Sequence, residues 1–237
     1  MGNFAVYTFY AGVILLALYI IYKWLLSTEN QPRFNRVVLL SIYATAFVAL
    51  PLISLVSSLP LTSGEAGAIT IDPGTIAMLA DGDAAATHAA WPRIVLRIYL
   101  AGVCATLLWT AFTALRLGRL IAHGEHIRHG AYTLVLLDRD DIAPFSWGSY
   151  VVLSRNEAAD STSMILTHEC AHIAARHFVD LLIAQAVCNV LWYNPASWLM
   201  LRELKAVHEY EADERVLRSG VNARNYQLLL IKKAVGV

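Results

Sequence analysis

Three stretches without a charged residue dominate the polarity pattern: 4–22, 37–61 and 98–115. Each is close to or above the roughly 20 apolar residues that a helix needs to cross a bilayer. Tyr7, Phe9 and Tyr10 stand near one end of the first, and Tyr19, Tyr22 and Trp24 near the other, as interfacial aromatic belts do. A cleaved leader would need a basic start and a small-residue cleavage site; the first stretch has neither and is too long. Pro51 predicts a kink in the second, which neighbouring helices can accommodate. Arg97 and Arg116 bracket the third, placed to snorkel outward. The pattern predicts membrane helices over about 4–26, 37–61 and 94–117, with a loop at 62–93 holding a short strand near 68–71.

After residue 117 the pattern changes. Residues 132–137 and 150–153 are β-branched, aromatic and aliphatic, and read as strands either side of turn residues at 138–141 and the segment 144–148. Residues 156–163 carry cap and turn chemistry, and a helix is expected from Thr162 or Ser163. His123, His126 and His129 recur every third residue, but Gly124 and Gly130 flank them, which points to a membrane helix breaking up into a loop and not to a metal site.

Composition adds exclusions. Hydrophobic residues make up 57% and charged residues 15%, with a mean hydropathy of +0.52; soluble chains carry about 25% charged residues. A disordered chain, a nucleic-acid-binding domain and an ordinary cytosolic enzyme are excluded. Eighteen Lys+Arg balance eighteen Asp+Glu, so no direct nucleic-acid partner is implied. Cys104, Cys170 and Cys188 form neither a disulfide framework nor a thiolate zinc cluster. Lys23, Arg33 and Arg36 outweigh Glu29 between the first two helices, and Arg116, Arg119 and Arg128 follow the third. Residues 62–92 contain no Lys or Arg but do contain Glu65, Asp72, Asp81 and Asp83. Positive-inside orientation then puts the N-terminus and this loop outside, and everything after Arg116 in the cytoplasm.

The candidate chemistry lies on the predicted helix after 162: His168-Glu169-Cys170-Ala171-His172. Positions i and i+4 share a helix face, so two imidazoles can share one Zn²⁺ while Glu169 reaches the water it activates. Two ordinary surface histidines are the bland alternative, which the apolar setting of Met164, Ile165, Leu166, Ala171 and Ile173 weakens. A catalytic zinc needs a third protein ligand. Glu209 and Asp213 are again i and i+4; a helix bringing Glu209 to the metal would bring Asp213 to a ligand histidine as hydrogen-bond acceptor. Glu203, Glu211 and Glu214 read as a solvated charged face. His208 is a substitute ligand, disfavoured because adjacent residues on a helix point about 100° apart.

Three membrane helices, a β-rich piece, HECAHIAARHFVD, LWYNPASWLMLREL, HEYEAD and YQLLLIKKA follow in an order that resembles the BlaR/MecR-type membrane metallopeptidases. The chain is most similar to the Bacteroidetes-type members that lack a penicillin-binding sensor. The resemblance covers nearly the whole chain, with its specific part at 168–233. It implies a mainly α, polytopic membrane protein carrying a gluzincin-like α+β zinc peptidase domain. It also implies one Zn²⁺ held by His168, His172 and Glu209, Glu169 as general base, and Asp213 supporting a ligand. Family members usually continue into a further membrane helix and an extracytoplasmic domain; this C-terminal part is expected to be absent here.

The uncharged run 181–201 is long enough to span, but one crossing would put Glu209 across the bilayer from His168 and His172. Asn194-Pro195 divides the run, and Gln185 and Asn189 interrupt it, so a re-entrant helical hairpin over about 180–207 is expected. The resulting organisation is a membrane domain at 1–117 and a cytoplasmic metallopeptidase domain at 118–237, in a bacterial cytoplasmic membrane. The expected activity is hydrolysis of a cytoplasmic protein, a repressor or the chain itself, within transmembrane signalling. The alternatives are a zinc-binding transducer without catalysis, a gluzincin-type quality-control protease, and a structural membrane protein with an accidental motif. His177, His208 and Tyr226 are the candidates for contacting the oxyanion or substrate, and 149–154 is the expected exposed strand edge for an extended peptide.

Overall fold

The computed structural model describes residues 2–26, 31–58, 91–139, 141–160 and 162–235. They form helices α1 (Gly2–Leu25), α2 (Pro32–Ser58) and α3 (Trp91–Ala122), then strands β1 (Glu125–His129), β2 (Tyr132–Leu137), β3 (Phe145–Trp147) and β4 (Tyr150–Ser154). Helices α4 (Arg155–Asp160), α5 (Thr162–Ala174), α6 (His177–Val190), α7 (Pro195–Arg218) and α8 (Ala223–Val235) follow. The chain is thus mostly helical with one four-stranded sheet. Among the described residues, Tyr7–Leu25 and Arg93–Ala122 are long and apolar enough to cross a membrane, and α5 with α6 pass that test only as a pair bent by 58°. The loop expected at 62–93 and its strand at 68–71 lie outside the described residues, except that α3 begins at Trp91.

Sheet order is β1-β2-β4-β3, with β2 and β4 parallel and the outer pairs antiparallel. Alternation along a strand sends successive side chains to opposite faces, and β2 and β4 use both. Leu134, Val151 and Leu153 pack with Ile165, Leu166 and Ile173 of α5. Val135, Leu137 and Val152 pack with Leu117, Leu120 and Ile121 at the end of α3. The sheet is therefore a middle layer between the end of α3 and the motif helix α5. Burying each such aliphatic side chain stabilises the stack by about 1.5–3 kcal/mol.

The structure departs from the sequence expectation in four places. Helix α3 continues to Ala122 because Leu117, Leu120 and Ile121 have a sheet face to cover. His126 and His129 stand in β1, not in a loop, and residues 155–160 form α4 where turns were expected. Strand β4, expected as an edge, pairs on both sides; β1 and β3 are the edges. The two-residue connection Gly148-Ser149 places β3 beside β4, with Gly148 at φ 62°, a conformation glycine adopts without steric cost.

Helices α6 and α7 form an antiparallel hairpin. His177 and Asp180 meet His208, whereas Cys188 meets Ser197 nearer the turn. Asn194 caps α7, its side chain accepting from Ala196 N at 3.0 Å, with Pro195 in the first helical position. The same side chain donates to Gly12 O of α1 at 2.9 Å, and Tyr193 Oη donates to Thr8 O at 2.9 Å. The hairpin buries Ala184, Val187, Leu191, Met200 and Leu204 against Leu15, Tyr22, Leu39 and Tyr43 of α1 and α2. The largest core is thus shared between the first two helices and the hairpin.

Trp192 extends this docking to α3: its indole N–H donates to Tyr99 O at 3.2 Å, and a Cβ at Gly102 would lie 2.1 Å from its ring. Gly102→Ala is expected to cost about 1–3 kcal/mol by overpacking, lowering the melting temperature in detergent by about 2–4 °C per kcal/mol. Trp192→Phe should relieve part of that penalty, so the two changes will not add. Additive losses in a thermal melt would contradict the close approach.

Candidate metal centre

Helix α5 turns Ile165 and Ile173 to the sheet, which leaves His168 and His172, one turn apart, facing α7. Their Nε2 atoms lie 3.2 Å apart. Glu209 of α7 brings Oε2 to 3.2 Å from His168 Nε2 and Oε1 to 3.7 Å from His172 Nε2. One ligand atom from each of the three falls within 4.8 Å of the others. A tetrahedral zinc with bonds of about 2.0–2.2 Å separates its ligands by roughly 3.3–3.6 Å, so the spacing and the two-imidazole, one-carboxylate set both fit zinc.

Each histidine has a partner behind it. His168 Nδ1 is 3.1 Å from Asp213 Oδ1 and 2.9 Å from Tyr226 Oη, and Tyr226 donates to Asp213 at 2.7 Å. A carboxylate only accepts, so Nδ1 donates to Asp213; with a metal bound, Nε2 would lose its proton and offer its lone pair. His172 Nδ1 is 2.8 Å from His177 Nδ1.

Burial works against a charged His168, but its hydrogen bonds to Asp213 and Glu209, with the Glu169 charge nearby, raise its pKa to about 9. Burial pushes His172 down to about 4, with Glu209 opposing and His168 reinforcing the shift. The His168 contact holds Glu209 below its ordinary range against the effect of burial. Three carboxylates around two imidazoles give a local surplus of negative charge that suits a cation.

Glu169 is buried and lines the same cleft of about 440 Å³ as the three candidate ligands. Ser146, Trp147 and Phe178 also line it; the Trp147 and Phe178 rings meet edge to face at 5.4 Å. Edge strand β3 thus borders the cleft, the position expected of 149–154.

The three residues expected to contact an oxyanion or substrate also line the cleft, and each has partners of its own there. Tyr226 Oη is shared between His168 and Asp213. His177, 2% exposed, uses Nδ1 toward His172 and Nε2 toward Glu211. His208 puts Nε2 3.0 Å from Asp180 and stacks on His177 at 4.0 Å, so it is placed in this buried cluster and not among the metal-facing atoms. Glu211 corrects the sequence reading of a solvated face: it is 4% exposed and fully engaged, because α7 turns that side toward α2 and α6. Glu203 and Glu214 are partly exposed and paired with Lys23 and Arg218. No local pattern marks Glu211, because its partners Arg36 and His177 lie 175 and 34 residues away.

Residues 144–236 match the family model described as BlaR1 peptidase M56. The match supports the BlaR/MecR-type family and runs from the entrance of β3 through α8, taking in all the residues of the centre. It suggests a metallopeptidase, and hence a protein substrate. No curated protein matches the chain.

Zinc analysis of purified protein tests the centre. His168→Ala and Glu209→Ala are expected to lose bound metal. Asp213→Asn should keep the fold and weaken zinc about 10–100-fold, read by competition with a chromophoric chelator. Full occupancy in either alanine variant would overturn the ligand set.

Proposed function

We propose that the chain is a membrane-embedded, gluzincin-like zinc endopeptidase of the bacterial cytoplasmic membrane. The observation that carries this reading is the convergence of His168, His172 and Glu209 in one cleft with Glu169 and an edge strand. A bound zinc would supply Lewis-acid polarisation of the scissile carbonyl and acidify water to a pKa of about 7. Glu169 takes the proton of the attacking water and delivers it to the leaving amine. His168 and His172 stay oriented by Asp213 and His177. A peptide adding to β3 enters the cleft extended, held by main-chain hydrogen bonds without a strict demand on its sequence. The substrate is a cytoplasmic protein, a repressor or the chain itself, and cleavage serves transmembrane signalling.

The proposed topology has a membrane domain at 1–117, with N-terminus outside, and a cytoplasmic catalytic domain at 118–237 whose α6–α7 hairpin re-enters the bilayer. The turn contacts Gly12, eleven residues before Lys23 on α1, so its tip lies about 16 Å along that helix from the basic end. Helix α6, of 14 residues, is only about 21 Å long, short of a hydrocarbon core of about 30 Å.

Glu169→Gln is expected to retain zinc and lose about 10²–10⁴-fold in hydrolysis, measured on a co-expressed repressor or on self-cleavage. Unchanged turnover would remove Glu169 as the base. Single cysteines at Arg176 and Glu214, in a cysteine-free background, should both label from the cytoplasmic face. Labelling from opposite faces would refute the hairpin topology.

A further inference from the structure

Arg36 enters the sequence only as one of several basic residues flanking a membrane helix. In the fold it sits in the first turns of α2 with its side chain 19% exposed, and its guanidinium reaches three places around the site. Nε donates to Asp180 Oδ2 at 2.6 Å, Nη1 to Glu211 Oε2 at 3.2 Å, and Nη2 to Ala175 O at 2.7 Å. Ala175 lies just past the end of α5, beside Arg176, whose φ of 56° turns the chain into α6. One side chain of α2 therefore grips the end of the motif helix, the start of α6 and the middle of α7.

From Glu211 the contacts continue to the metal centre. Glu211 Oε2 is 3.2 Å from His177 Nε2, and His177 Nδ1 is 2.8 Å from His172 Nδ1. A carboxylate only accepts, so His177 donates from Nε2. Neutral His177 then accepts at Nδ1, and His172 donates from Nδ1. That tautomer leaves the His172 Nε2 lone pair facing His168 and Glu209. The chain Arg36–Glu211–His177–His172 is buried throughout its middle, with Glu211 at 4% and His177 at 2% exposed. It orients His172 as Asp213 and Tyr226 orient His168, but its far end is on a helix that the sequence places in the membrane.

We propose that Arg36 is a positioning residue through which helix α2 sets the orientation of His172, making the membrane domain an input to the metal site. The proposal rests on the zinc-peptidase reading through His172 as ligand. Lysine at 36 keeps the charge but cannot present a planar fork to Asp180, Glu211 and the Ala175 carbonyl together. A displacement of α2 would act in the same way, by loosening Glu211 and with it the ring of His172.

The test uses the full chain in detergent, with zinc affinity from chelator competition and the visible spectrum of the Co²⁺-substituted protein. His177→Phe keeps the ring on His208 and removes both polar contacts; it should weaken zinc about 10–100-fold, as loss of a ligand's hydrogen-bond partner does. Arg36→Lys should weaken zinc less, by several-fold, and shift the Co²⁺ bands. In the double variant Arg36→Lys should add nothing to His177→Phe, because it acts through that residue. If Arg36→Lys does not accumulate, Glu211→Gln makes the same test with an isosteric side chain. Lys23→Ala, which removes the α1–α7 pair with Glu203 at 2.6 Å, should leave affinity and spectrum unchanged. Wild-type affinity and spectrum in folded Arg36→Lys or Glu211→Gln, or additive losses in the double variant, would overturn the relay. Zinc binding by wild type that His168→Ala leaves intact would instead overturn the metal site itself.

Discussion

Bonds of about 2.0–2.2 Å to a single zinc would require that His172 and Glu209 meet across an intervening apolar run long enough to span a bilayer. The structure meets this constraint at one turn. Asn194 caps α7, Pro195 starts it, and the chain from His177 to Glu211 folds into an antiparallel pair. The turn is held by Gly12 and Thr8 of α1 and by Tyr99 of α3. The distances from His168 and His172 to Glu209 and Asp213 depend on that docking, since both carboxylates are carried on the returning arm.

The second support is the sheet. It is too small to be a core by itself, and both faces are used: one seats α5, the other covers the end of α3. Stacking fixes the roll of α5, and so which face carries His168 and His172. The crossover order β1-β2-β4-β3 then leaves the short strand β3 at the rim of the cleft. Scaffold and proposed peptide platform are the same four strands.

Charged and polar groups are rare in this chain, and the buried ones of the centre are connected. Asp180, Glu211, His177 and His208 form one cluster with Arg36. Isolated, each would carry a large desolvation penalty; together they satisfy one another and tie α2, α6 and α7 to the end of α5. Such clusters specify geometry more than they add stability. That suits a site where the orientation of an imidazole matters more than the depth of the folding minimum.

The apolar stretches, the helical spacing of His168, Glu169 and His172, the Glu209–Asp213 pair and the Asn194-Pro195 break were all legible in the sequence, because each is a local pattern with a period or a turn chemistry of its own. The mostly helical class with a small sheet followed from the same patterns. The strand order was not legible: β2 and β4 pair in parallel although β3 lies between them in sequence, and alternation alone does not say which strand ends at the edge. Nor were the partners of His177 and Glu211. Glu211 looks like a surface residue and His177 like a substrate contact when read along the chain, and only the packing of α2 against the α6–α7 hairpin, 144 residues apart for Arg36 and Asp180, takes them out of water and gives them one another. Local periodicity marks which residues can hold a metal; long-range packing decides which residues hold the ligands.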